Sequence, residues 1–144
     1  MSTRCRIGIK NSDGTIESIY CHHDGYVSYV GSILVNHYKT EDKIRKLLDL
    51  GDMSSLGTEP MDNPDGWDFN KRQIGDNTMC TTYRRRGEDA PSKTSKDEEE
   101  YLKLTDDCWG EYCYLFDNGT WIFSSYGKSK FKPVKEDSDY ESLR

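Results

Sequence analysis

Long apolar runs are missing from this chain, and no stretch approaches the roughly 20 apolar residues that a membrane-spanning helix needs. Apolar residues are scarce overall, at 33% of 144, and the mean hydropathy is -0.92. That composition would leave a core short of buried area without the ten Tyr, four Phe and three Trp. Their rings bury large areas while polar tips reach water. Positive charge is in deficit: 20 Lys and Arg stand against 26 Asp and Glu, giving a formal net charge of -6. Such a balance disfavours non-specific binding to duplex DNA or to an anionic membrane. No CxxC pair is present, and the five cysteines, Cys5, Cys21, Cys80, Cys108 and Cys113, are odd in number and irregularly spaced. The opening Met1-Ser2-Thr3-Arg4-Cys5 lacks an apolar run and a small-residue cleavage site. The two features together point to reduced thiols and a cytoplasmic location. Catalytic signatures are missing as well, with no GxSxG, HExxH, P-loop or GxGxxG in the chain.

What is present predicts an α+β fold, an antiparallel sheet of about five strands with two helices packed on one face. The length suits one domain, here residues 1–135, followed by a polar tail at 136–144. Cys5, Ile7 and Ile9 alternate with Arg4, Arg6, Gly8 and Lys10, the period of a half-buried strand. Asn11-Ser12-Asp13-Gly14 then turns the chain into a second strand that ends near Cys21. Tyr26, Val30, Ile33, Leu34, His37 and Tyr38 fall on one face of a helix. A second helix follows Thr40, with Ile44, Leu47 and Leu48 inward and Gly51 at its end. Asp52 to Leu56 is expected to add a helical turn. Residues 57–78 and 87–96 read as irregular loops, with a strand over Met79 to Arg84 and a short acidic helix from Asp97 to Leu104. Asp117-Asn118-Gly119 is a strong hairpin signal between two aromatic-rich strands, and Phe131 to Val134 suits a sheet edge.

The most distinctive run is Tyr20-Cys21-His22-His23-Asp24-Gly25-Tyr26, at a strand-to-helix junction where loops present side chains over a rigid scaffold. Strand alternation puts Cys21 and His23 on one side and His22 and Asp24 on the other. Asp24 has a sufficient role as a helix cap. A zinc site needs three or four ligands, which His37 and a further cysteine would supply only through tertiary coincidence. No metal, cofactor or catalytic residue is therefore assigned. Cys21 and Cys113 could each meet a histidine, but both lie in apolar strand patterns that suit buried thiols. Two basic clusters stand out, Arg84-Arg85-Arg86 beside Tyr83, and Lys128, Lys130, Lys132 and Lys135 around Phe131. The lysines suit a guarded sheet edge; the arginines are left open between phosphate contacts and a solvated edge. The candidate ligand- or partner-binding residues are Tyr20, His22, Asp24, Tyr26, Arg84, Arg85 and Arg86.

With Ile19 through Tyr26, Val30-Gly31 and His37-Tyr38, and later Leu47 to Asp52, Tyr114-Leu115-Phe116, Trp121, Tyr126-Gly127 and Phe131-Lys132-Pro133, the chain resembles a family of small proteins encoded by phages and prophages. In that family the turn commonly carries tryptophan where His23 stands. The resemblance implies an accessory protein of a mobile element, acting in a bacterial host cell. Three functions follow as expectations. The first is inhibition of a bacterial defence system by binding one of its proteins without catalysis. The second is a sponge that sequesters a nucleotide immune signal. The third is a metal- or thiol-dependent enzyme centred on Cys21, His22 and Asp24.

Overall fold

The computed structural model describes residues 3–62, 78–84, 87–125 and 131–134. Cys5–Lys10 forms β1 and Ile16–Cys21 forms β2, paired antiparallel from Cys5↔Cys21 to Lys10↔Ile16. The turn between them is held by Asp13, whose carboxylate accepts from the Thr15 amide at 3.0 Å and the Thr15 hydroxyl at 2.6 Å. Gly14, at φ 89°, supplies the left-handed residue that such a turn requires.

Beyond β2 the chain makes one π-helical turn, Val27–Gly31, that runs into α1, Ser32–His37. Val30, Ile33, Leu34 and Tyr38 are buried, as their spacing requires, but His37 is exposed. The wider π turn rotates later residues around the axis relative to a uniform α-helix, so His37 leaves the inward stripe. Helix α2, Glu41–Asp49, begins at Thr40, whose side chain accepts from the Lys43 amide, and carries Glu41 and Asp42 at its positive end.

The remaining elements are β3 (Met53–Ser55), β4 (Thr81–Thr82), β5 (Lys93–Ser95), α3 (Glu98–Asp107), β6 (Tyr112–Asp117), β7 (Thr120–Ser125) and β8 (Lys132–Pro133). Among the described residues they make an eight-stranded sheet in the order β4-β3-β2-β1-β6-β7-β8, with β5 on the other half of β2's outer edge. The α+β class holds, but the sheet exceeds about five strands and is not purely antiparallel. Strands β1 and β6 are parallel, as are β2 and β3. Parallel partners are joined by long crossovers, so no turn signal in the sequence announces them. The segment expected as an extra helical turn is β3, and the loop expected at 87–96 contains β5. Both strands are only three residues long, too short for a period-two pattern to register. The strand expected over Met79 to Arg84 shrinks to Thr81–Thr82.

Helices cover both faces of the sheet, not one. On the first face, α1 and α2 pack Leu34, Ile44, Leu47 and Leu48 against Ile7, Ile9, Ile19 and Tyr114. On the second, α3 packs Tyr101 against Ile16, Cys113 and Leu115. Asp97 caps α3 by accepting from the Glu100 amide at 2.9 Å. Tyr101 crosses β1 at Gly8, where a Cβ would meet the Tyr101 hydroxyl at 2.9 Å, and donates to the Tyr114 carbonyl on β6. This cover leaves Arg6 only 2% exposed, although strand alternation places it on the polar side. No helix among the described residues is long and apolar enough to cross a membrane.

Candidate functional site

The run from Tyr20 to Tyr26 divides into two parts with different jobs. Its second half is a corner that ties β2 to β1 and β6. Asp24 adopts φ 59°, a left-handed conformation that Asp tolerates better than most residues, and reverses the chain toward the start of β1. The Gly25 amide then donates to the Thr3 carbonyl at 2.8 Å, and the Gly25 carbonyl accepts from the Tyr114 hydroxyl at 2.6 Å. Only glycine fits here, because a Cβ would lie 2.8 Å from the Thr3 oxygen and 3.0 Å from Cys5 Sγ.

Asp24 does not cap the following helix, contrary to expectation. The N-cap position falls on Tyr26 and carries no side-chain cap. The left-handed residue delays the helical turn until Val27, which puts the carboxylate out of reach of its amides. Asp24 accepts from the Tyr26 hydroxyl at 3.3 Å instead.

In the first half of the run, Tyr20 faces the side of the sheet that α3 covers, while Cys21 is buried in the core on the other side. Tyr20 lies opposite Arg6 in the β1–β2 register, and its hydroxyl is 2.7 Å from His22 Nδ1. The Tyr20 ring stacks on Tyr83, with centroids 6.5 Å apart. Its amide donates to Asp52 Oδ1 at 2.8 Å. Burial, chiefly, with the neighbouring Tyr83, pushes the Tyr20 hydroxyl up to about 12, against a smaller opposing pull from Arg4. Burial also lowers His22 below 6.5, helped by His23 and Arg4. The two side chains thus form a neutral pair at pH near 7. Asp52 is raised by burial, although the Tyr20 amide, Arg6 and Lys93 oppose the shift.

His22 and His23 are T-shaped neighbours, with ring centroids 4.6 Å apart, and the strand alternation that separated them ends at Cys21. Their amides donate to the Met53 and Ser54 carbonyls, which stitches this end of the run to β3. Among the described residues no group of three His, Cys, Asp or Glu side chains is placed to hold a metal ion.

The thiols are held by the fold. Cys21 donates to the His23 carbonyl at 3.6 Å, not to an imidazole, and Cys113 lies 3.2 Å from the Thr105 hydroxyl. Burial drives both Cys80 and Cys113 up to about 12 and raises Cys5 and Cys108. While they stay covered, such thiols hold little thiolate at neutral pH and are weak nucleophiles.

Arg84 is not gathered to His22 and Asp24. It pairs with Asp62 at 3.5 Å and donates to the Asp49 carbonyl at 3.4 Å, at the β3–β4 edge. Arg85 and Arg86 lie outside the described residues, as do Lys128, Lys130 and Lys135. Lys132 sits on edge strand β8, over the Phe123 ring at 5.5 Å.

Sequence reasoning missed three groups that surround this site. Arg6 donates to the Ser18 hydroxyl at 3.0 Å and carbonyl at 3.1 Å, under α3. Cys108 closes α3 beside it. The loop after α3 passes Arg4, whose carbonyl accepts from the Glu111 amide, and carries Trp109 at φ 63° and 79% exposure. Trp109, Asp106, Asp107 and Gly110 line a shallow cleft of ≈ 500 Å³. The signal that was available is Trp109 itself, an indole between acidic residues and a glycine.

These features define a small α+β protein with one mixed sheet, covered on both faces, and an exposed Trp109 beyond the C-terminal end of α3. No protein-family model matches the chain, and neither a curated protein nor a solved structure matches it.

Proposed function

We propose that the chain is a phage-encoded accessory protein that inhibits a bacterial defence system by binding one of its components, without catalysis. The observation that carries the binding part is Trp109, which leaves most of its indole in water at a position where its backbone is also left-handed. Trp is enriched among the residues that anchor protein–protein interfaces. The phage origin rests on the resemblance of the Tyr20 to Tyr26 turn. The non-catalytic part rests on thiols raised by burial.

Co-expression with individual defence systems in a bacterium, followed by phage plating and co-purification, tests this reading. The wild-type chain restores plating against one system and co-purifies with one of its components. Trp109→Ala keeps its circular dichroism spectrum and loses both by at least about tenfold, as removal of a central anchor does. A panel in which no system is relieved would sink the proposal.

A second reading, a nucleotide sponge, is favoured by the Tyr20–Tyr83 stack beside Arg4, which offers a ring face and a cation to one ligand. Calorimetry against cyclic and ADP-ribose-type nucleotides separates the two, since only the sponge gives heat with a small molecule.

A further inference from the structure

Cys5 and Cys21 are direct partners in the antiparallel β1–β2 ladder, and both are fully buried on the same face. Opposed residues in such a ladder have Cα atoms about 4.5–5.5 Å apart, inside the about 4.4–6.8 Å that a disulfide spans. The Cys21 thiol lies close enough to add to burial in raising Cys5. The pair is therefore placed for a bond that needs little movement of either strand.

Its position in the sheet gives it a route to solvent. Cys5 is the terminal rung of β1 on both sides, paired with Cys21 on one and with Tyr112 on the other. Cys21 in turn provides the single β2–β3 rung, with Met53. What closes over the pair is the Tyr20 to Tyr26 corner, clasped by the Gly25 amide to the Thr3 carbonyl. Ends of ladders open at lower free energy than their centres. Fraying of that corner is the route by which a small reagent would reach the pair, whereas Cys113 lies on the opposite face against Thr105 and Tyr101.

We propose that Cys5 and Cys21 form a redox-active dithiol, which a low-molecular-weight disulfide oxidises to a cross-strand disulfide. One cysteine thiolate attacks a sulfur of the small disulfide, forming a mixed disulfide and expelling one thiolate. The second cysteine thiolate attacks the protein sulfur of that mixed disulfide and expels the other. The two cysteines are oxidised, the small disulfide is reduced to two thiols, and the two cysteine protons end on those thiols. The product staples the first rung of β1 to the last residue of β2. The inference is independent of which partner the protein binds.

The test uses the full chain, folded, with oxidised glutathione as the probe, followed by digestion without reductant and mass spectrometry. The expected result is a Cys5–Cys21 linked peptide pair that lacks two hydrogens and is restored by dithiothreitol. Cys113→Ala retains the link, whereas Cys5→Ala and Cys21→Ala lose it. The oxidised chain also unfolds at a higher temperature than the reduced one. Recovery of Cys5 and Cys21 as free thiols from the folded wild-type chain overturns the proposal. So does oxidation that joins either of them only to Cys108. The wild-type map decides the matter even where a cysteine variant fails to fold.

Discussion

Gly25 shows how much one residue can fix. Its missing side chain lets β1 approach the corner closely enough for the Thr3 carbonyl and the Tyr114 hydroxyl to bond to the same glycine. Gly25→Ala pushes a methyl group into the Thr3 carbonyl oxygen and Cys5 Cβ, at 2.8 and 2.9 Å, the first backbone and the second bonded directly to it. A loss of about 1–3 kcal/mol is expected in urea unfolding, the usual range for overpacking. A variant within a few tenths of wild type would show that the corner relaxes. His22 makes a different statement, because its pKa is lowered by burial, His23 and Arg4. The folded state then resists a proton that the unfolded chain accepts. The stability His22 contributes is complete above the unfolded value of about 6.5 and is lost as pH falls through the folded value. Denaturation midpoints are expected to drop as pH falls below about 6.5, and His22→Gln should flatten part of that slope. An identical slope in the variant would assign the loss to other groups.

At the scale of elements, α3 is where expectation and structure part. Its acidic start was legible, since Asp97 followed by Glu98, Glu99 and Glu100 is a helix-opening pattern. Its destination was not. Alternation along β1 predicts one wet face, and Arg6 conforms to that pattern, yet α3 buries it. A strand with a polar residue at every second position reads the same whether those residues meet water or a helix that returns from far along the chain. Tyr101 holds α3 in place by reaching over Gly8 to the Tyr114 carbonyl. Tyr101→Phe keeps the ring and removes that bond, so it is expected to cost about 1–2 kcal/mol, as for a buried acceptor that loses its donor. Hydrogen exchange should rise in α3 more than in α2. Equal increases in both helices would mean that the two faces of the sheet open as one unit.

At the scale of the whole molecule, the sheet joins a large core under α1 and α2 to a smaller one under α3. The smaller cluster relies on Tyr101, Leu115, Ile16 and Cys113, and its helix ends in Asp106 and Asp107 at the negative end of the dipole, with Trp109 beyond. The local choices there run against helix stability, and the proposed partner surface lies at that spot. Sequence by itself determined the two hairpins, the α2 helix with its Thr40 cap and Gly51 stop, and the buried cysteines in strand patterns. Those features depend on neighbours within a few residues, where turn chemistry, capping and periodicity act. The tertiary structure alone decided that β1 pairs in parallel with β6, that Arg6 is covered, and that Tyr20 meets Tyr83. It also parted Arg84 from the histidines. Each of these pairings joins residues through long-range packing, which local periodicity does not encode.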